Sequence, residues 1–144
     1  MADRSAGTVQ LLLPGKAEFL LVARLATSGV GVRSGLTVDD IEDLKVAVAE
    51  ACTNVINHAF DDRTPSEQRQ ITLRMTPGGG EMTVEVEDEG AGFDPEELER
   101  SRRNGLDGEG GLGFGLMREL TDSLRIESAP GSGTRVIMVK RATR

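Results

Sequence analysis

The chain has 144 residues and a formal net charge of −7. That length suits one well-packed domain, and the charge has the wrong sign for nucleic acid or an anionic membrane surface as a partner. Four phenylalanines and no tryptophan or tyrosine leave no base-stacking platform, and the single cysteine, Cys52, excludes an internal disulfide or a paired-cysteine metal site. No apolar run is long enough to span a membrane and residues 1–7 lack a signal-peptide pattern, so a cytoplasmic protein is expected.

Residues 8–13 form a short apolar strand that Pro14-Gly15 ends. Residues 16–29 read as a helix with a broad apolar face (Phe19, Leu20, Leu21, Val22, Ala23, Leu25, Ala26), a run in which Arg24 is the one charge. Gly29, Gly31 and Gly35 read as a loop. Thr37 then supplies an N-cap, with Asp39 and Asp40 in the first turn of a second helix that runs to about residue 60. Projected at 100° per residue, Ile41, Leu44, Val48, Ala51, Cys52, Val55, Ile56 and Ala59 fall in one apolar sector. Glu50, Asn54 and His58 form a separate polar row at i, i+4 and i+8, with no lysine or arginine in it to pair with Glu50. A solvated helix surface also explains a Glu and an Asn, and His58 near the helix end suits capping or the helix dipole.

Residues 61–69 are a polar loop. Strands at 70–76 and 82–88 flank the hairpin turn Pro77-Gly78-Gly79-Gly80-Glu81. In the second of these, Val84 and Val86 face one side and Glu85 and Glu87 the other, and the alternation stops at Asp88, with Gly90 and Gly92 following. A carboxylate at a strand end beside glycines that let a ligand approach the backbone suits an acceptor for an N–H donor. An acidic surface turn is the plain alternative. Residues 95–103 suit a short helix, and 104–111 are rich in glycine and acids. Gly111-Leu112-Gly113-Phe114-Gly115 leads into a third long helix to about residue 121, a loop-to-helix junction that suits phosphate but is neither a P-loop nor a dinucleotide motif. Strands at 123–128 and 134–141 close the chain around Ala129-Pro130-Gly131-Ser132-Gly133. About five strands and three long helices, with the helices on one sheet face, predict an α/β two-layer sandwich with a mixed, mainly antiparallel sheet over residues 1–144 as a single domain.

Three elements in this order, Glu50-Ala51-x-x-Asn54-x-x-x-His58, Asp88-x-Gly90-x-Gly92-Phe93 and Gly111-Leu112-Gly113-Phe114-Gly115-Leu116, resemble the Bergerat-type ATP-binding domain shared by gyrase, Hsp90, histidine kinases and MutL. Within that superfamily the chain is most similar to the small anti-sigma-factor serine kinases of bacterial partner-switching systems, over nearly its whole length. The resemblance implies that Asn54 ligates Mg²⁺ bridging the phosphates of ATP. It makes Asp88 the acceptor from the adenine amino group, with Thr134 in the same polar network. By the same resemblance Gly90 and Gly92 let the backbone close round base and sugar, and Gly111, Gly113 and Gly115, with Leu112 and Phe114 between them, cradle the phosphates. Residues 94–110 become a lid and Glu50 the general base. Glu50 and Asn54, one turn apart on one helix, can set a proton acceptor and a metal ligand side by side.

One departure stands out: no lysine or arginine lies between Asn104 and Arg118, and Glu109 occupies the lid. Positive charge for the γ-phosphate would come from Arg100, Arg102, Arg103 or a partner. The length leaves no room for a phospho-accepting helical hairpin or a transducer domain, which makes His58 a poor phosphohistidine. The expectation is a protein serine kinase acting on an anti-anti-sigma STAS protein and holding a sigma factor. The alternatives are a nucleotide-gated binding module, or a partner-switching kinase without a sigma-factor partner. Glu50 favours a kinase, because a pure binder needs no proton acceptor there. The wide apolar face of residues 16–29, next to the strand at 8–13, predicts a homodimer contact.

Overall fold

In the computed structural model, residues 7–103 and 113–143 are described, with side chains up to residue 100 in the first of these segments. Gly111, Leu112, residues 104–110 of the expected lid and the side chains of Arg102 and Arg103 lie outside the described residues. Five strands, β1 (Val9–Pro14), β2 (Gln70–Pro77), β3 (Glu81–Asp88), β4 (Ser123–Ser128) and β5 (Thr134–Arg141), form one sheet in the order β1-β2-β3-β5-β4. Every pairing is antiparallel, so the expected mainly antiparallel sheet is antiparallel throughout. The α-helices among the described residues are α1 (Leu20–Arg33), α2 (Val38–Asn54), α3 (Pro95–Arg103), the short helix expected there, and α4 (Phe114–Leu120), seven residues where the sequence predicts a third long helix.

Strand alternation builds the core. Ile71, Leu73 and Met75 of β2, Met82, Val84 and Val86 of β3, and Val136 and Met138 of β5 point to one face and are buried. Helix α2 lays Ile41, Leu44, Val48, Ala51 and Cys52 on that row, with Val55 just past its end, in the sector that the projection marks. Burial pushes the Cys52 thiol up to about 12, which makes it an inert core residue. The opposite sheet face carries a ladder of charges in which Arg135 Nε meets Glu87 Oε2 at 3.0 Å and Arg74 meets the same carboxylate at 3.4 Å. These pairs are part-exposed and add little stability.

Two helix boundaries show what decides them. The expected loop at Gly29 and Gly31 is instead the last turn and a half of α1, because Gly31 is where α1 crosses α2: a side-chain carbon there would lie 2.8 Å from Ile41 Cγ1. The helix stops at Gly35, with φ +78° and the bonds Leu36 N→Gly31 O and Gly35 N→Val32 O of a left-handed C-terminal cap. Helix α2 starts in a capping box, Asp40 N donating to Thr37 Oγ1 at 3.1 Å and Thr37 N to Asp40 Oδ2 at 3.0 Å. The Asp40 carboxylate also accepts from Thr143 N (3.0 Å) and Thr143 Oγ1 (2.9 Å), which ties the end of the chain to the start of α2.

Candidate functional site

The far end of α2 does not simply stop. After Asn54 it widens into one π-helical turn, Val55–Ala59, a distortion often found at functional positions. This turn, the end of β3, the start of β5 and the start of α4 enclose a pocket. Its floor is Val86 and Val136, one wall is Ala51 and Val55, and the other is Phe93 and Phe114, whose ring centroids are 6.0 Å apart. Its polar groups are few: Asn54, His58, Asp88 and Thr134. An apolar slot with a few convergent polar groups is the usual form of a small-molecule site.

Asp88 is the central polar group. It ends β3, opposite Thr134 of β5, and is 7% exposed. Its Oδ1 accepts from Gly90 N at 2.8 Å. Burial pushes its carboxyl above the usual carboxylate range; amide donors at Gly90 and Thr134 pull it back, and neighbouring Glu87 adds to the rise. Ser128, which pairs with Thr134 across β4 and β5, completes the network and went unmarked in the sequence. Its hydroxyl accepts from Phe93 N at 2.9 Å, lies 2.7 Å from Thr134 Oγ1 and donates to Gly133 O at 3.0 Å. The hairpin register was the signal that could have found it, since it sets Ser128 against Thr134.

The glycines after Asp88 have a steric reason. A side-chain carbon on Gly90 would overlap the Ala59 carbonyl at the end of the π turn, and one on Gly92 (φ +68°) would overlap the Ala129 carbonyl. The bonds Ala91 N→Ala59 O (2.8 Å) and Gly131 N→Ala91 O (2.6 Å) stitch the same backbones together. The turn is thus pressed between the end of α2 and the β4–β5 hairpin, and so shapes one side of the pocket.

Glu50 lies one turn before Asn54, at the edge of the pocket. Its carboxylate packs on Gly113, the left-handed residue (φ +67°) that opens α4: a side-chain carbon there would sit 2.6 Å from Glu50 Oε2. Of the residues singled out in the sequence, Asn54, Asp88, Gly92, Phe114 and Thr134 therefore line one pocket, and Glu50 and Gly113 adjoin it. Gly90 opens on a neighbouring hollow shared with His58, and Gly115 is exposed on α4, away from the pocket. His58 is exposed and lines the pocket as well as that hollow. None of the described lining residues is a lysine or arginine.

Residues 13–140 match the family model described as the histidine kinase-like ATPase domain. The chain belongs to that family. Within it, this ATPase domain is 37% identical over 139 residues to the serine-protein kinase RsbW of Bacillus velezensis, covering 92% of the chain and 84% of that protein. It is 39% identical to the RsbW of Halalkalibacterium halodurans, with 92% and 82% covered. It is 35% identical to that of Bacillus subtilis, with 94% and 86% covered. The fold is shared with the crystal structure of the RsbU and RsbW domains of a Mycobacterium tuberculosis protein (TM-score 0.68, 18% identity, 95% of this chain and 33% of that one). A chain of the SiaB–SiaC complex from Pseudomonas aeruginosa shares it too (TM-score 0.63, 13% identity, 91% and 88%). The ATPase domain thus sits among protein serine kinases.

Such a domain handles ATP. The described residues hold no cluster of three or more His, Cys, Asp or Glu that could bind a metal ion by itself. Asn54 offers one hard oxygen ligand with Glu50 nearby, which fits Mg²⁺, an ion that keeps several waters and takes few protein ligands beside substrate phosphates. No helix among the described residues is long and apolar enough to cross a membrane.

Proposed function

We propose that this protein serine kinase transfers the γ-phosphoryl group of ATP to a serine of an anti-anti-sigma STAS protein in the cytoplasm, and that it also holds a sigma factor. The observation that carries the reading is the placing of Glu50 and Asn54 one turn apart on α2, beside a pocket whose deepest polar group is the Asp88 carboxylate. Adenine lies between the Phe93–Phe114 wall and the Val86–Val136 floor, its amino group donating to Asp88, with Thr134 and Ser128 holding the neighbouring polar network. Guanine would present a carbonyl to that carboxylate, two acceptors face to face. Gly90 and Gly92 keep the backbone at base and sugar narrow. The start of α4 at Gly113 and Phe114, beside Glu50, takes the phosphates.

Asn54 would hold Mg²⁺, which would neutralise phosphate charge when bound. Glu50 then does the work of a base. The serine oxygen bonds to the γ-phosphorus, the bond from that phosphorus to the bridging oxygen of ADP breaks, and the hydroxyl proton passes to the Glu50 carboxylate. Glu50→Gln is the test: it should lower phosphoryl transfer by roughly 10²–10⁴-fold with Mg·ATP binding nearly intact. Full transfer by that variant would place the base elsewhere or show that the reaction needs none, whereas a wild-type chain that binds Mg·ATP and transfers no phosphate would favour a nucleotide-gated binder.

The same reading includes a homodimer. Leu21 (62% exposed) and Leu25 (63%) stand on α1, and β1 is an edge strand of the sheet, so this helix is not wrapped in its own domain. A symmetric pair burying this patch removes both the apolar surface and the open edge. Light scattering should give twice the 15.4 kDa mass, and Leu21→Glu should return it to one. A monomer at tens of micromolar would reject the dimer.

A further inference from the structure

On the inward row of β5, Val136 and Met138 are followed at the next inward position by Lys140, where alternation calls for another apolar side chain. Lys140 is 8% exposed, and its ammonium donates to the Leu120 carbonyl at 2.9 Å and to Asp43 Oδ2 at 3.4 Å. Leu120 is the last residue of α4, and Asp43 lies in the second turn of α2. The lysine therefore joins the far ends of the two helices whose near ends form the site, α2 with Glu50 and Asn54, α4 with Gly113 and Phe114. A cation on the final carbonyl of a helix satisfies an orphan acceptor and suits the dipole.

Helix α4 needs such a hold. Seven residues with a glycine at the second position cannot form a stable helix alone. Its near end carries side chains of consequence: Phe114 walls the pocket, and the bare Gly113 receives the Glu50 carboxylate. Around Lys140 the chain is tied further, Asp122 N donating to Val139 O at 2.8 Å and Arg141 N to Asp122 Oδ2 at 2.7 Å.

We infer that Lys140 is a positioning residue for ATP use: by clasping the end of α4 to α2 it fixes Phe114 and Gly113 against the nucleotide pocket from the opposite end of the helix. The inference rests on the nucleotide-site reading above. Because small displacements of a binding group are costly, Lys140→Met, similar in length but without donors, should weaken Mg·ATP binding about tenfold in calorimetric titration of the folded chain. Lys140→Arg, which restores donors for both oxygens, should bind within about threefold of the wild type. Leu11→Ala, on the edge strand away from the pocket, serves as the control of general loosening.

Wild-type ATP binding by Lys140→Met overturns the inference. So does a loss of binding in Leu11→Ala equal to that in Lys140→Met at a matched loss of melting temperature, and so does a failure of arginine to rescue. If Lys140→Met does not fold, Lys140→Gln, which keeps one donor for Leu120, should bind ATP between wild type and no binding, and wild-type affinity in that variant refutes the clasp. A wild-type chain that binds no ATP refutes the nucleotide site itself, and the clasp with it; wild-type binding with unchanged Lys140 variants refutes the clasp alone.

Discussion

Among the described residues two aspartates are buried, at opposite ends of the architecture, and their surroundings differ in kind. Asp40, at the start of α2, is 2% exposed and surrounded by donors. Burial pushes its carboxyl up, but the Thr143 and Thr37 backbones and the Thr143 hydroxyl outweigh that and hold it at about 2. Asp88, at the end of β3, has amide donors too few to cancel burial, so its carboxyl lies above the usual range while it faces a pocket. A carboxylate supplied with every donor it can use is a structural tie. One kept short of donors and turned toward a cavity has acceptor strength left for a ligand.

The largest effect is expected where the backbone itself holds Asp88. Gly133 has φ +73°, and a side-chain carbon on it would overlap the Asp88 carbonyl. Gly133→Ala should cost about 3 kcal/mol or more in denaturant unfolding, from strain and displacement of the strand end, and should abolish ATP binding. Unchanged stability and binding would mean that the β3–β5 junction is looser than its contacts imply.

The two aspartates then separate by which property each controls. Asp88→Asn should lower ATP affinity by about 1–3 kcal/mol and erase the preference for ATP over GTP, with unfolding stability unchanged or slightly raised, because a desolvated charge is removed. Asp40→Asn should do the reverse, costing about 1–3 kcal/mol of stability with ATP affinity kept. Parallel titration calorimetry and unfolding on both variants checks this, and an equal loss of affinity in both would collapse the distinction.

Acid sharpens the same contrast. The folded-state value of Asp40 lies below its ordinary 3.8, so its contribution to stability is present above that value and is lost as pH falls toward about 2. Asp88 is raised, so the folded state holds its proton more tightly than the unfolded chain. Acidification through that range favours folding at this position while it removes the acceptor proposed for adenine. ATP binding should therefore decline on acidification before the Asp40 tie loosens, and Asp40→Asn should flatten the acid limb of the unfolding curve without moving the binding limb.

The smallest effect belongs to a glycine with nothing around it. A side-chain carbon on Gly79, in the β2–β3 hairpin, would meet no atom within 4 Å, and Gly79→Ala should shift stability by less than about 0.5 kcal/mol and leave ATP binding alone. A large loss there would show that glycine content, not close packing, is what the Asp88 region requires.

The local rules of helix and strand reached far in this chain. A period of 3.6 separated the buried sector of α2 from the row of Glu50, Asn54 and His58, and a period of 2 brought β3 to its end at Asp88. Thr37 marked the start of α2, and the last two strands begin and end where their turn residues place them. Three features escaped. Gly31 reads as a breaker until Ile41 is seen crossing it, Ser128 is one serine among several until the hairpin register sets it against Thr134, and Lys140 is an anomaly in an apolar row until Leu120 is found above it.

What the sequence determined by itself is therefore the set of elements and the chemical character of each face, because those depend on neighbours within a turn or a strand pair. Only the tertiary structure decided which carboxylate is a tie and which an open acceptor. The chain marks Asp40 as a first-turn acid and Asp88 as a strand-end carboxylate beside glycines, but their supply of donors comes from Thr143, 103 residues from Asp40, and from the pocket that α2, β5 and α4 close around Asp88. Burial and hydrogen-bond supply are properties of the packed layers, and no local pattern encodes them.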